Sequence, residues 1–170
     1  MSSEAFEGLS PIVHPTAFVH PSALLLGDVK LAEQVSVWPT AVLRGDCGSI
    51  QIGARTNLQD GTIAHATTGF SQTHIGVECT VGHRVILHGC TVGNRCLIGM
   101  GSIVLDGVEI GDDCFVAAGS VVTPGKKFEP RSFLMGSPAR RVREVNERDL
   151  MSIDAAWRSY VHLMQGYAKK

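Results

Sequence analysis

The chain is short of aromatic residues (6%) and carries almost no net charge, −1 over 170 residues with histidine taken as neutral. Scattered charge argues against a polybasic surface for nucleic acid or anionic membrane. No apolar run approaches the roughly 20 residues needed to span a bilayer. The opening MSSEAFEGLS holds Glu4 and Glu7, with neither a basic leader nor an apolar segment, so no signal peptide is expected. CxxC pairs are also absent. Five cysteines, an odd number, then fit reduced thiols in a cytoplasmic setting better than a disulfide framework. The length suits one domain. Few large rings beside 19 glycines is unusual for an ordinary layered fold.

What is abundant is a six-residue repeat. Every sixth residue from Val13 is aliphatic (Val13, Val19, Leu25, Leu31, Val37, Leu43), and so is every sixth from Val92 to Val122. Ile52, Leu58, Ala64, Ile75, Val81 and Leu87 continue the series between them, with irregular steps at 43–52, 64–75 and 87–92. The fourth residue after each aliphatic is small or β-branched, Cys47, Cys79, Cys96 and Cys114 among them, and the next residue is often Gly. Cys90 falls outside that slot. Neither a 3.6-residue nor a 2-residue period gives this pattern. A solenoid of short parallel strands does, with one apolar side chain pointing in, a small one at the corner, and Gly permitting the turn.

The pattern resembles the hexapeptide-repeat family. That resemblance implies an all-β solenoid, a left-handed parallel β-helix with three hexads per coil, and coils spaced by roughly 4.8 Å. The left hand runs against the general rule for parallel crossovers. The coil is expected over 12–138, after a tail at 1–11. The segment 139–170 then carries an amphipathic helix with Leu150, Ile153, Trp157, Val161 and Met164 on one face. A lone helix of that length is marginal in water, so it should pack on the coil or on a neighbour.

Four of the seven histidines lie in IAHATTGFSQTHIGVECTVGHRVILHGC, residues 63–90. His65 follows Ala64 and His88 follows Leu87, the same slot three faces apart, once the loop after His65 is allowed for. The register therefore stacks His65 on His88 and puts His83 on another face. Three imidazoles at about 2.0–2.1 Å with an open fourth position make a catalytic zinc site. With two donors from one chain, the third must come from a second chain, as a closed trimer allows.

Beside the hexads, VWPTAVLRGD, IQIGARTNLQDGTIAH, TVGHRVILHGCTVGN, IGMGSIVLDG and GSPARRVR resemble the gamma-class carbonic anhydrases. The resemblance implies a homotrimer whose His65 and His88 bind zinc (or Fe2+ or Co2+) with His83 of the next subunit. It implies that Gln59 and Asn57 orient nucleophile and substrate, that Arg44 and Asp46 form an interfacial pair, and that Tyr160 points toward the site. The expected reaction is hydration of carbon dioxide to bicarbonate. Asp60 reads equally as a turn residue. Family glutamates assigned to proton shuttling are missing: one position is Cys47, and the loop ATTGFSQTH holds no acid. His74 is then the candidate proton carrier, beside its plainer reading as a solvated loop residue. Two rivals stay open, a coenzyme A-dependent hexapeptide acyltransferase with a histidine base and a non-catalytic trimeric scaffold stapled by metal.

Overall fold

The computed structural model describes residues 2–167. Its strands form a parallel β-solenoid of about seven coils closed by one C-terminal helix. Three ladders of inward side chains run its length. Leu25, Leu43, Ala64, Leu87, Val104 and Val122 pair in the first. Val13, Leu31, Ile52, Ile75, Val92, Ile110 and Phe128 form the second. Val19, Val37, Leu58, Val81, Ile98, Val116 and Leu134 form the third. Successive aliphatics of the six-residue repeat visit the ladders in strict rotation, and nearly all are fully buried. The segment expected as a tail joins in: Ser2–Glu4 pairs with Leu24–Leu26 and adds a rung to the first ladder.

The glycines that follow the inward aliphatics do not serve as turn residues. Gly53, Gly76, Gly93 and Gly111 sit over one another, and a Cβ on Gly53 or Gly76 would stand 2.6 Å from the backbone of the coil above. Glycine is needed because neighbouring coils touch there. The left-handed backbone falls instead at corners such as Arg55, Glu78, Arg95, Asp113 and Arg131, with φ between 49° and 60°. These five alternate in charge, one to a coil. Arg55 meets Glu78 at 2.9 Å and Arg95 meets Asp113 at 2.7 Å, so two ion pairs link neighbouring coils at a corner whose backbone L-residues adopt reluctantly.

The cysteine slot needs one correction. Cys79, Cys96 and Cys114 are buried as expected, but Cys47 is half-exposed. The long strand Val42–Ile52 carries six residues between Leu43 and the fully buried Ile50, and Cys47 rides on the part that bows outward. Cys90, unassigned by the hexad count, is in the core, and burial pushes its thiol up to about 12.

The outer surfaces of the ladders differ. On the second they are polar (Lys30, Gln51, His74, Thr91, Glu109). The third is covered by the helix Glu147–Tyr167, which opens on reciprocal hydrogen bonds between Asn146 and Asp149 and buries Ile153, Trp157 and Met164, with Leu150 and Val161 half-buried beside them. The first presents an unpartnered aliphatic stripe: Leu24, Val42, Ile63, Ile86, Ile103 and Val121. No helix among the described residues is long and apolar enough to cross a membrane.

Two outcomes are expected. Gly76→Ala destabilises the folded chain by about 1–3 kcal/mol in chemical denaturation, because the added methyl meets backbone that cannot yield. A thiol reagent titrates one cysteine per chain in the native protein, Cys47, and all five after unfolding.

Candidate metal centre

His65 and His88 end adjacent strands of the first ladder and are direct register partners. Their rings meet edge to face at 5.1 Å, with His65 Nδ1 3.2 Å from His88 Nε2. Each ring spends its other nitrogen on a carboxylate. His65 Nε2 lies 3.1 Å from Asp46 Oδ1, and His88 Nδ1 lies 2.9 Å from Asp106 Oδ2. Ionised carboxylates only accept, so the ring N–H groups belong on those sides. Two lone pairs are then left facing each other across 3.2 Å with no proton between them. Among the described residues, Arg44 Nη2 is the one cationic donor near them, 3.5 Å from His65 Nδ1. Two nitrogens bound tetrahedrally to one ion would stand about 3.3 Å apart.

His83 repeats the pattern at the opposite corner of that ladder, where its Nδ1 is 3.0 Å from Asp60 Oδ2 and its Nε2 is left over. His83 and Asp60 are both about half-exposed, with side-chain accessibilities of 45% and 46%. The His83–Asp60 pair and the His65–His88 pair thus lie on opposite sides of the aliphatic stripe, as the hexad register predicts.

The residues around His65 set its state. Burial, then the nearby Arg44 charge, hold its imidazole below the ordinary value despite the Asp46 carboxylate. Burial acts to raise the Asp46 carboxyl, but hydrogen bonds from Arg44 and His65 outweigh it and leave it low. Arg44 Nη1 donates to Asp46 at 2.5 Å, while its Nη2 lies 3.5 Å from His65 Nδ1. The expected Arg44–Asp46 pair forms within this chain, where two residues' separation on an extended strand brings the groups together. Cys47 adds a thiol whose sulfur lies within 4.8 Å of ligand atoms of Asp46 and His65.

The other expected residues gather at the His83–Asp60 pair. Asn57 is wholly buried and spends its amide on Cys79 O and Thr80 Oγ1, at 3.2 and 3.0 Å. It cannot touch a substrate. Its Oδ1 instead accepts from Gln59 Nε2 at 3.2 Å, fixing Gln59 and leaving Gln59 Oε1 as acceptor. Tyr160 lies against Trp38 at 5.3 Å, its phenol raised by burial and by the Asp60 charge. His74 is not where a proton carrier must be. It lies in the strand Thr73–Ile75, exposed on the second ladder between Gln51 and Thr91. The loop ends before it, and strand pairing turns it from the histidine pair.

Asp106 is the residue that hexad reasoning missed. It stands 18 residues beyond His88, one coil on. A carboxylate one coil from each histidine was the available signal.

A search of characterised proteins finds the carnitine operon protein CaiE of Escherichia coli O157:H7, 50% identical over 150 residues, which are 88% of this chain and 76% of that protein. The model for the bacterial transferase hexapeptide (six repeats) matches residues 89–124. The chain belongs to the hexapeptide-repeat family. This family is built on the left-handed β-helix. Among solved structures, a hexapeptide transferase family protein of Anaplasma phagocytophilum superposes with a TM-score of 0.92 at 37% identity, covering 98% of both chains. A Bacillus cereus protein, provisionally assigned as an acetyltransferase, superposes with a TM-score of 0.95 at 37% identity, covering 98% of this chain and 96% of the other. The hexapeptide-repeat fold thus accounts for the whole described chain, helix included.

Because Asn57 braces Gln59 and the third ladder rather than any ion, Asn57→Ala is expected to cost about 1–3 kcal/mol of stability with metal content per chain unchanged by elemental analysis.

Proposed function

We propose that the protein is a metal-dependent hydratase, interconverting carbon dioxide and bicarbonate at sites shared between subunits of a homotrimer. One observation carries this reading: His65 Nδ1 and His88 Nε2 face each other at 3.2 Å, each ring held from behind by an aspartate. Carboxylate-backed imidazoles are the usual form of histidine metal ligands. His83, backed by Asp60, is the same unit. It would complete the set from the next subunit. Three imidazoles suit zinc and do not strongly reject Fe2+ or Co2+. Such an ion, when bound, lowers the pKa of a water to about 7 and so supplies hydroxide at neutral pH.

The chain's own groups divide the remaining work. Gln59 Oε1 is placed to accept a hydrogen bond from the nucleophile, with Asn57 holding the amide in that orientation. Asp46 fixes the His65 ring, while burial and the Arg44 charge keep that ring neutral. Trp38 and Tyr160 form an aromatic wall beside the His83 half-site, suited to a small apolar substrate. The aliphatic stripe supplies the subunit contact, and hexapeptide-repeat proteins are commonly trimeric. Five free thiols suit a reducing, cytoplasmic compartment.

The comparisons lend more weight to a second reading, acyl transfer from coenzyme A. The family model and both solved neighbours carry transferase names, and none of the relatives above is named as a lyase. In that reading the His83–Asp60 pair is the base between subunits, and the facing nitrogens of His65 and His88 have no assigned task.

Elemental analysis of untagged protein prepared without chelator separates the two. About one zinc or iron per chain is expected, with a carbon dioxide hydration rate that is lost, together with the metal, in His83→Ala while the β signal of the coil persists. A metal-free trimer that binds acetyl coenzyme A would establish the second reading. A metal-loaded trimer with neither activity would leave the ion as a structural staple. In Ile86→Asp, light scattering should report monomers, and those monomers should lose the metal although no ligand is changed.

A further inference from the structure

The loop 66–72 has little to hold it. Ala66 is its one fully buried residue, positions 67–70 are exposed, and Phe70 at the tip is 74% accessible. Its polar anchors are Ser71 and Gln72, whose Oε1 accepts from Ser49 Oγ at 3.0 Å. The Ser71 hydroxyl donates to Asp106 Oδ1 at 2.5 Å and accepts from the backbone N–H of Thr67 at 2.9 Å. The other oxygen of Asp106 holds His88 Nδ1 at 2.9 Å. Asp106 therefore has one oxygen on the loop and one on a metal-ligand ring. Burial acts to raise its carboxyl, but the bonds from Ser71 and His88, with a smaller one from Thr67 of the same loop, outweigh it and leave it low.

The packing around this relay is close. Gly89 lies beneath the relay with φ of 62°, and a side chain there would collide with both Asp106 and Ser71. The far end of the loop is tied to the same strands: Thr73 Oγ1 donates to His65 O at 2.6 Å and accepts from Gly89 N at 3.0 Å. On its other side the loop forms a polar cleft with Cys47 and Gly48.

We infer that Ser71, Asp106 and His88 form a latch that couples the seating of loop 66–72 to the metal-binding geometry of His88. Asp106 is a positioning residue: it fixes the His88 tautomer and ring angle, and Ser71 fixes Asp106. Binding of an ion at His88 Nε2 makes Nδ1–H a stronger donor to Asp106, which tightens the carboxylate and the loop that hangs from it. The coupling is reciprocal, so loosening the loop weakens the ion. This inference rests on the metal reading above for its ligand but not for its geometry.

Chymotrypsin cleavage after Phe70 reports the loop, and competition with a chromophoric chelator reports zinc affinity. In Ser71→Ala, which removes one hydroxyl from a partly exposed position, zinc affinity should fall by about tenfold or more, cleavage should accelerate, and added zinc should no longer slow it as it does in the wild type. In Asp106→Ala, the nitrogen chemical shifts of metal-free His88 should lose their preference for the Nδ1–H tautomer, a change that damage elsewhere in the coil would not produce. Unchanged zinc affinity in Ser71→Ala overturns the latch, whatever the loop does. If the wild type binds no zinc, the metal reading fails separately. The latch is then judged on metal-free protein, where unchanged cleavage and unchanged His88 shifts overturn it.

Discussion

Everything in this molecule hangs on the stacking distance between coils. Parallel strands stand roughly 4.8 Å apart, and at that spacing the residue above any inward side chain must be another inward side chain of compatible size. The three aliphatic ladders satisfy this for the core. At Gly53, Gly76, Gly93 and Gly111 the backbones come so close that even a methyl group collides. Register is thereby fixed from both directions: a slip by one residue would bury polar groups and also drive side chains into those contacts.

A rigid register also brings the histidine pair together. Ladder pairing places His88 directly over His65, so two imidazoles on short strands converge without any loop having to be ordered. The carboxylates behind them come from the corners of neighbouring coils, where Asp46 and Asp106 are held by Arg44 and Ser71. Support of this kind behind each ring is positioned by the same stacking that makes the core, and it costs little extra ordering.

The three outer surfaces of the coil have different characters. One side is polar, one is covered by its own helix, and one is aliphatic and bare. His65 with His88 and His83 with Asp60 flank that bare side at its two edges. A neighbour docked there brings unlike edges together, so the surface that drives association by burying apolar area is the one that would complete the donor set. Tyr160 and Gln59 belong with the His83 edge, through Asp60 and Asn57.

The sequence by itself determined the ladders, the C-terminal helix face and the separation of His83 from His65 and His88. Each follows from a period, and a period survives in one dimension. It also misled in places where the period breaks. Cys47 sits in the irregular step after Leu43 and bows outward, Cys90 fills a core position no hexad assigned, and residues 2–4 extend the coil although no repeat reaches them. Only the tertiary structure decided which carboxylate stands behind which imidazole, that Asn57 is sealed under the helix, that His74 faces away, and that Ser71 reaches Asp106. Those contacts join residues 18 to 35 positions apart at corners, where insertions shift the count and side-chain direction depends on local backbone turns that no spacing rule encodes.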